Sequence, residues 1–99
     1  MPCYHLVTIK KSTKPAKKLM AIFEDCSTHR QKTTHFGSFD MSDYTIHKDS
    51  TRKQRYLARH RKNENWDEPT SAGSLSRYIL WNKTSLRASI ADYKRRFHF

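Results

Sequence analysis

An α+β fold, a small three-stranded antiparallel meander followed by about three helices, is predicted by three features of this 99-residue sequence. Short β-branched and apolar runs separated by turn residues fill the first third of the chain. A Ser- and Asp-containing connector follows Gly37. From Asp49 onward, apolar residues recur at helical spacing behind good capping residues. A chain of this length makes one domain, 1–99, with one modest core: a β-rich part over 1–37 and a helical part over 49–97.

Residues 4–10 alternate Tyr4, Leu6 and Thr8 with His5, Val7 and Ile9, which predicts a strand. Residues 11–18 are basic, contain Pro15 and read as a loop. The apolar run 19–23 is the second strand, 24–28 is a turn, and the Thr-rich 30–36 returns as a third strand ending at Gly37. A meander is the economical pairing, and its apolar face calls for a helical cover. Residues 38–48 interleave Phe39, Met41, Tyr44 and Ile46 with Asp40, Ser42 and Asp43, and read as an ordered connector. Asp49 caps a first helix over about 50–62, with Tyr56, Leu57 and His60 on its inner stripe. Residues 63–73, with Trp66 and Pro69, form a loop. Ser71 or Ser74 caps a second helix near 74–82, which carries Leu75, Tyr78, Ile79 and Trp81. Thr84 or Ser85 caps a third, whose Leu86, Ile90, Tyr93 and Phe97 share one face.

Lys and Arg number 20 against nine Asp and Glu, a formal net charge of +11. Such a field favours nucleic acid, an anionic membrane surface or an acidic protein surface. No apolar run approaches the roughly eighteen residues of a membrane span. The opening residues are too polar for an export signal, so an intracellular site of synthesis is expected. Cys3 and Cys26 are then expected as free thiols, although pairing of the first two strands would bring them close.

The densest basic run is 47–62. Its Lys48, Arg52, Lys53, Arg55, Arg59, Arg61 and Lys62, with Arg87, Arg95 and Arg96 of the third helix, are the candidate contacts to a polyanion or an acidic partner. Arg52, Arg55 and Arg59 are three and four apart, so one helix face presents all three, and each guanidinium fork can donate two parallel hydrogen bonds to an oxyanion. The competing reading is a solvated helix face. Nothing in the run implies base-specific readout. Tyr44, Tyr56, Trp66, Tyr78 and Trp81 offer surfaces for base stacking, but a core short of aliphatics needs Trp66 and Trp81 for packing.

Cys26 and His29 have a chelating gap that His35 could join, but a structural zinc site wants four ligands, and no motif supports Cys3, His5 or His47 as the fourth. His98, near the chain end, reads as a surface residue. Asp40 and Asp43 lie near His47 without further catalytic partners. There is no phosphate-binding glycine loop, nucleophile elbow or His-Glu metal helix. A non-enzymatic role with no cofactor and no metal is expected.

The pieces His35-Phe36-Gly37-Ser38, 42–49, Arg52-Lys53, Arg55-Tyr56, Arg59-His60, Trp66, 70–73, Leu75-Ser76-Arg77, Leu80-Trp81-Asn82, Ser89-Ile90 and Arg96-Phe97 resemble a family of short basic proteins. These are uncharacterised proteins of nucleocytoplasmic large DNA viruses. The resemblance covers about 35–97, with the N-terminal strands as the variable part. The family carries a Gly just before the Ser-Asp dipeptide, where this chain has Asp40-Met41. The resemblance implies a viral protein made in the infected host cell and carried in the virion, as a minor capsid or cementing component. Its partners would be acidic surfaces of capsid or other assembly proteins. Sequence-nonspecific binding of DNA or RNA, for the genome or the transcription machinery, is the alternative. A small accessory subunit of a larger enzyme is a third.

Overall fold

The computed structural model of the protein describes residues 3–99. Strands β1 (Tyr4–Lys11), β2 (Lys17–Asp25) and β3 (Gln31–Ser38) form an antiparallel sheet in the order β1-β2-β3, the expected meander. Four helical segments follow: α1 (Tyr44–His47), α2 (Ser50–His60), α3 (Ala72–Leu75), continued by a π-helical turn at Ser76–Leu80, and α4 (Leu86–Phe97). Each α-helix starts at a side-chain cap. Asp49 accepts from the Thr51 and Arg52 N–H groups, Ser71 from Ser74 and Ser85 from Ala88. In the connector, Asp43 caps α1, a helix that residue pattern alone leaves unassigned.

The strands run longer than the alternation predicts. Lys11 still pairs with Leu19, and Lys17 pairs with Ser38, so Lys17 and Lys18 open β2 instead of closing a loop. A bulge between Leu6 and Thr8 changes the facing within β1. Leu6 and Ile9 are an odd number of residues apart, which regular alternation would put on opposite faces. The extra residue lets both join Tyr4 against the core and leaves Val7 exposed.

One sheet face carries Ala21, Phe23 and Phe36, all fully buried, against Leu75, Ile79, Leu80 and Tyr93. Each large apolar side chain contributes about 1.5–3 kcal/mol by leaving water. The π turn reconciles Leu75 with Leu80. In an α-helix a five-residue step points away from the starting face; widening the turn to i→i+5 bonding brings it back. The Trp81 N–H accordingly donates to the Ser76 carbonyl at 3.0 Å. Tyr93 donates its hydroxyl to the Pro69 carbonyl at 2.6 Å, and burial pushes its phenol well above the ordinary range. On α4, Tyr93 is buried and Ile90 and Phe97 pack beside it, but Leu86 remains exposed. Ser89 is buried instead, its hydroxyl accepting from the Lys83 N–H at 3.0 Å.

Cys3 and Cys26 form a disulfide, which corrects the expectation of free thiols. The register that sets Tyr4 opposite Asp25 places the two cysteines side by side just beyond it. Their Cα atoms are 5.4 Å apart, and the Cys26 N–H donates to the Cys3 carbonyl at 3.0 Å. Closing a loop between residues 23 apart in sequence stabilises the fold by about 3 kcal/mol through the unfolded state.

Two positions yield direct tests. Gly37 has φ +78°, and a Cβ built on it would lie 2.5 Å from Leu80 Cδ1. Gly37→Ala is expected to lower stability by about 1–3 kcal/mol in urea unfolding, from backbone strain and displacement of Leu80. Asp25 closes the β2–β3 turn by accepting from the N–H groups of Thr28 and Ser27 and from the Ser27 hydroxyl, at 3.0, 2.8 and 2.7 Å. These donors lower its pKa from 3.8 to about 2. Because the folded value is depressed, its contribution is present above about pH 4 and disappears as pH falls towards 2. Asp25→Asn should flatten the loss of stability across that window, measured by urea midpoints at successive pH values.

Candidate functional site

A concavity of about 550 Å³ lies between the β2–β3 end of the sheet, the connector, α2 and the α3–π segment. Its floor contains Phe36, Leu80, Tyr56 and Trp81, with Gly37 and Gly73 allowing close backbone approach. Arg52, Arg55 and Arg59 line it from α2, the face predicted from their spacing, while Lys17 and Lys18 enter from β2. On a helix rising 1.5 Å per residue the arginine row is about 10 Å long.

The cleft is charge-imbalanced. Five Lys and Arg side chains line it against two carboxylates, Asp43 and Glu64, and both carboxylates are already engaged. Asp43, 2% exposed, holds Lys18 Nζ at 2.5 Å while accepting from the Thr45 N–H and hydroxyl. Glu64 accepts from His60 Nδ1 at 3.1 Å and from Trp66 Nε1 at 2.9 Å. Among the described residues, Arg52, Arg55, Arg59 and Lys17 make no ion pair, and the three arginines are exposed.

A column of rings fixes the wall from which the arginines project. Tyr56 stacks on Trp81 at 4.2 Å with planes 4° apart. His60 stacks on the other side of Tyr56 at 4.1 Å, and His47 meets Trp81 at 5.3 Å. Burial, assisted by the Glu64 charge, raises the Tyr56 phenol to about 12, so it stays neutral. His47 Nδ1 accepts from the Asp49 N–H, tying the column to the start of α2.

The other sequence candidates are distributed elsewhere. Lys53 points inward, donating to the Asn82 carbonyl at 2.7 Å with its ammonium 4.9 Å from the Tyr44 ring centre. Burial lowers its pKa, reinforced by the nearby Arg77 and Lys83 charges. Arg61 lines a smaller groove with Leu57, Trp66 and Arg77. Lys48 ends α1 in the left-handed conformation, and Lys62 is exposed beyond α2. Arg87, Arg95 and Arg96 sit on α4 outside the cleft. Arg95 and Arg96 flank Asp92, and Arg96 also covers the Tyr78 ring. The basic residues of α2 and α4 therefore do not line one common cleft. Lys17 and Lys18 are cleft residues that sequence reading assigned to a loop. Their place at the start of an apolar run was the available signal. The disulfide removes Cys3 and Cys26 as thiolate ligands, and the described residues contain no cluster of three His, Cys, Asp or Glu side chains placed for a metal. No described helix is long and apolar enough to cross a membrane.

Fold and cleft define a small basic α+β protein whose arginine wall is held on an aromatic column. The chain matches a family of unknown function, DUF5754, over residues 7–60, more than half its length, and belongs to that family. The matched span takes in β2, β3 and α2, the elements that supply the cleft's cations. No curated protein and no solved structure matches the chain.

Lys53 and Arg55, neighbours in sequence, are expected to separate fold from site. Lys53→Met should lower stability by about 1–2 kcal/mol by removing a charged hydrogen bond to a carbonyl, with little change in the salt needed to elute the protein from heparin. Arg55→Gln should leave the unfolding midpoint unchanged and lower that elution salt.

Proposed function

We propose that this protein is a non-enzymatic structural component of a large DNA virus particle, a minor capsid or cementing protein made in the infected host cell. In this reading it meets acidic surfaces of capsid or other assembly proteins through the cleft. The observation that carries the reading is the arginine row without internal counter-ions, set beside an exposed apolar connector. Phe39, Met41 and Ile46, each more than 60% exposed, belong to that connector, and Met41 lines the cleft. Exposed apolar side chains beside unpaired cations favour a protein surface over a purely phosphate one. The viral setting comes from the sequence resemblance alone.

Binding of DNA or RNA without sequence preference is the second reading. It is favoured by Arg52, Arg55 and Arg59 sharing one face with Lys17 in the same cleft. The scatter of the α4 cations favours it less.

Quantitative mass spectrometry of purified, nuclease-treated particles, referenced to the major capsid protein, tests the assembly reading. A fixed and substantial ratio that survives genome removal is expected. Absence from the particles, or loss together with the nucleic acid, would overturn it.

A further inference from the structure

We infer that the cleft is a docking groove for an extended acidic segment of a partner protein, one that carries apolar side chains between its carboxylates. The inference rests on the assembly reading and names the occupant of its site.

Charge is the first argument. The two cleft carboxylates already have partners, so the field of Arg52, Arg55, Arg59 and Lys17 is left for an incoming anion. Guanidinium groups suit carboxylates because each fork can bind two oxygens at once.

Shape is the second. Successive side chains on one side of an extended chain are roughly 7 Å apart. Arg55 and Arg59 are separated by about 6 Å of helix rise. Carboxylates at every second position of an extended segment therefore match the Arg55–Arg59 step, and Arg52, about 4.5 Å of rise before Arg55, widens the cationic wall at one end. A cleft of about 550 Å³ holds only a few residues of such a segment.

The apolar part of the site argues against phosphate as the principal ligand. Met41 on the rim, 62% exposed, and the half-buried Trp81 present apolar surface with no favourable role towards a phosphodiester backbone. They suit Leu-, Ile- or Phe-type side chains placed between the carboxylates. Met is a fitting rim residue, since its unbranched side chain adapts to different apolar shapes.

The test is fluorescence anisotropy of the full chain with a fluorescein-labelled peptide alternating Glu and Leu. The Gln-for-Glu and Ser-for-Leu versions serve as controls, and a mixed-sequence DNA duplex serves as the rival ligand. The Glu-Leu peptide is expected to bind, and both control peptides to bind at least about tenfold more weakly. Arg52→Glu with Arg55→Glu should produce a comparable loss. Because Arg52 lies in the first turn of α2, the first of these substitutions is compatible with the helix dipole. Phe39→Ser with Met41→Ser changes only exposed apolar side chains. It should weaken the Glu-Leu peptide several-fold and leave DNA unaffected.

Equal binding of the Glu and Gln peptides, or unchanged affinity in the arginine variant, would overturn the inference. Tight DNA binding that requires the arginines and ignores Phe39 and Met41 would also overturn it, in favour of the nucleic-acid reading. Presence in particles without peptide binding removes this inference alone. Peptide binding without presence in particles removes only the assembly reading.

Discussion

The face-to-face contact of Tyr56 with Trp81, at 4.2 Å, determines where α2 lies and therefore where the arginines point. Tyr56 is the buried side chain of α2, and the rest of that helix is polar or half-exposed. An eleven-residue helix this rich in charge has little stability of its own. It depends on an apolar anchor, supplied by a ring presented at the end of the π turn. The π turn in turn exists because Leu75, Ile79 and Leu80 all bury against the sheet, which the ordinary helical repeat does not permit over that spacing. Core packing thus fixes the direction of the cationic side chains that line the adjoining cleft. Lys53, hydrogen-bonded to the Asn82 carbonyl just past Trp81, reinforces the same junction.

The second constraint is electrostatic. The chain has few carboxylates, and many of them hold the fold in place. Asp25 closes a turn, Asp43 and Asp49 cap helices, and Glu64 joins His60 to Trp66. Asp92 accepts from the Asn82 amide, which lowers its pKa, with Arg95 and Arg96 adding smaller effects. Asp43 both caps α1 and holds Lys18, whereas Asp25 and Asp49 are used up in their turn and cap. Arg52, Arg55 and Arg59, on the solvent-facing side of α2, are among the cations left without a carboxylate partner. Mutual repulsion among those groups opposes folding, and an anion bound there would relieve it. The disulfide and the aromatic core supply stability that tolerates this repulsion.

Much of the architecture was legible because local chemistry and global fold agree. Asp49, Ser71 and Ser85 are strong caps placed before helical spacing, and all three perform as caps. The steps between Arg52, Arg55 and Arg59 put them on one wall without knowledge of the fold. Other features depend on tertiary pairing and leave little local trace. Lys17 and Lys18 read as loop residues until the pairing of Lys17 with Ser38 extends β2. Ile9 changes sides because of a bulge that its alternating pattern does not signal. The disulfide follows from strand register, whereas the polar opening residues, read as intracellular, point to thiols. Lys53 has the composition of a surface cation, and only the Asn82 carbonyl and the Tyr44 ring turn it inward. Leu86 matches the apolar face of α4 by spacing, yet Ser89 takes the buried place.

The dependence of the arginine wall on the ring stack is measurable directly. Native-state amide hydrogen exchange, followed residue by residue in Tyr56→Ala, compares α2 with the sheet and α4. Removing the ring should cost about 3–5 kcal/mol of packing at the junction. Amides of α2 are expected to lose their protection while those of β2 and α4 keep most of theirs, as a sub-global opening requires. Undiminished protection throughout α2, with the sheet equally unaffected, would contradict it: the helix would then be held by something other than the Tyr56–Trp81 stack.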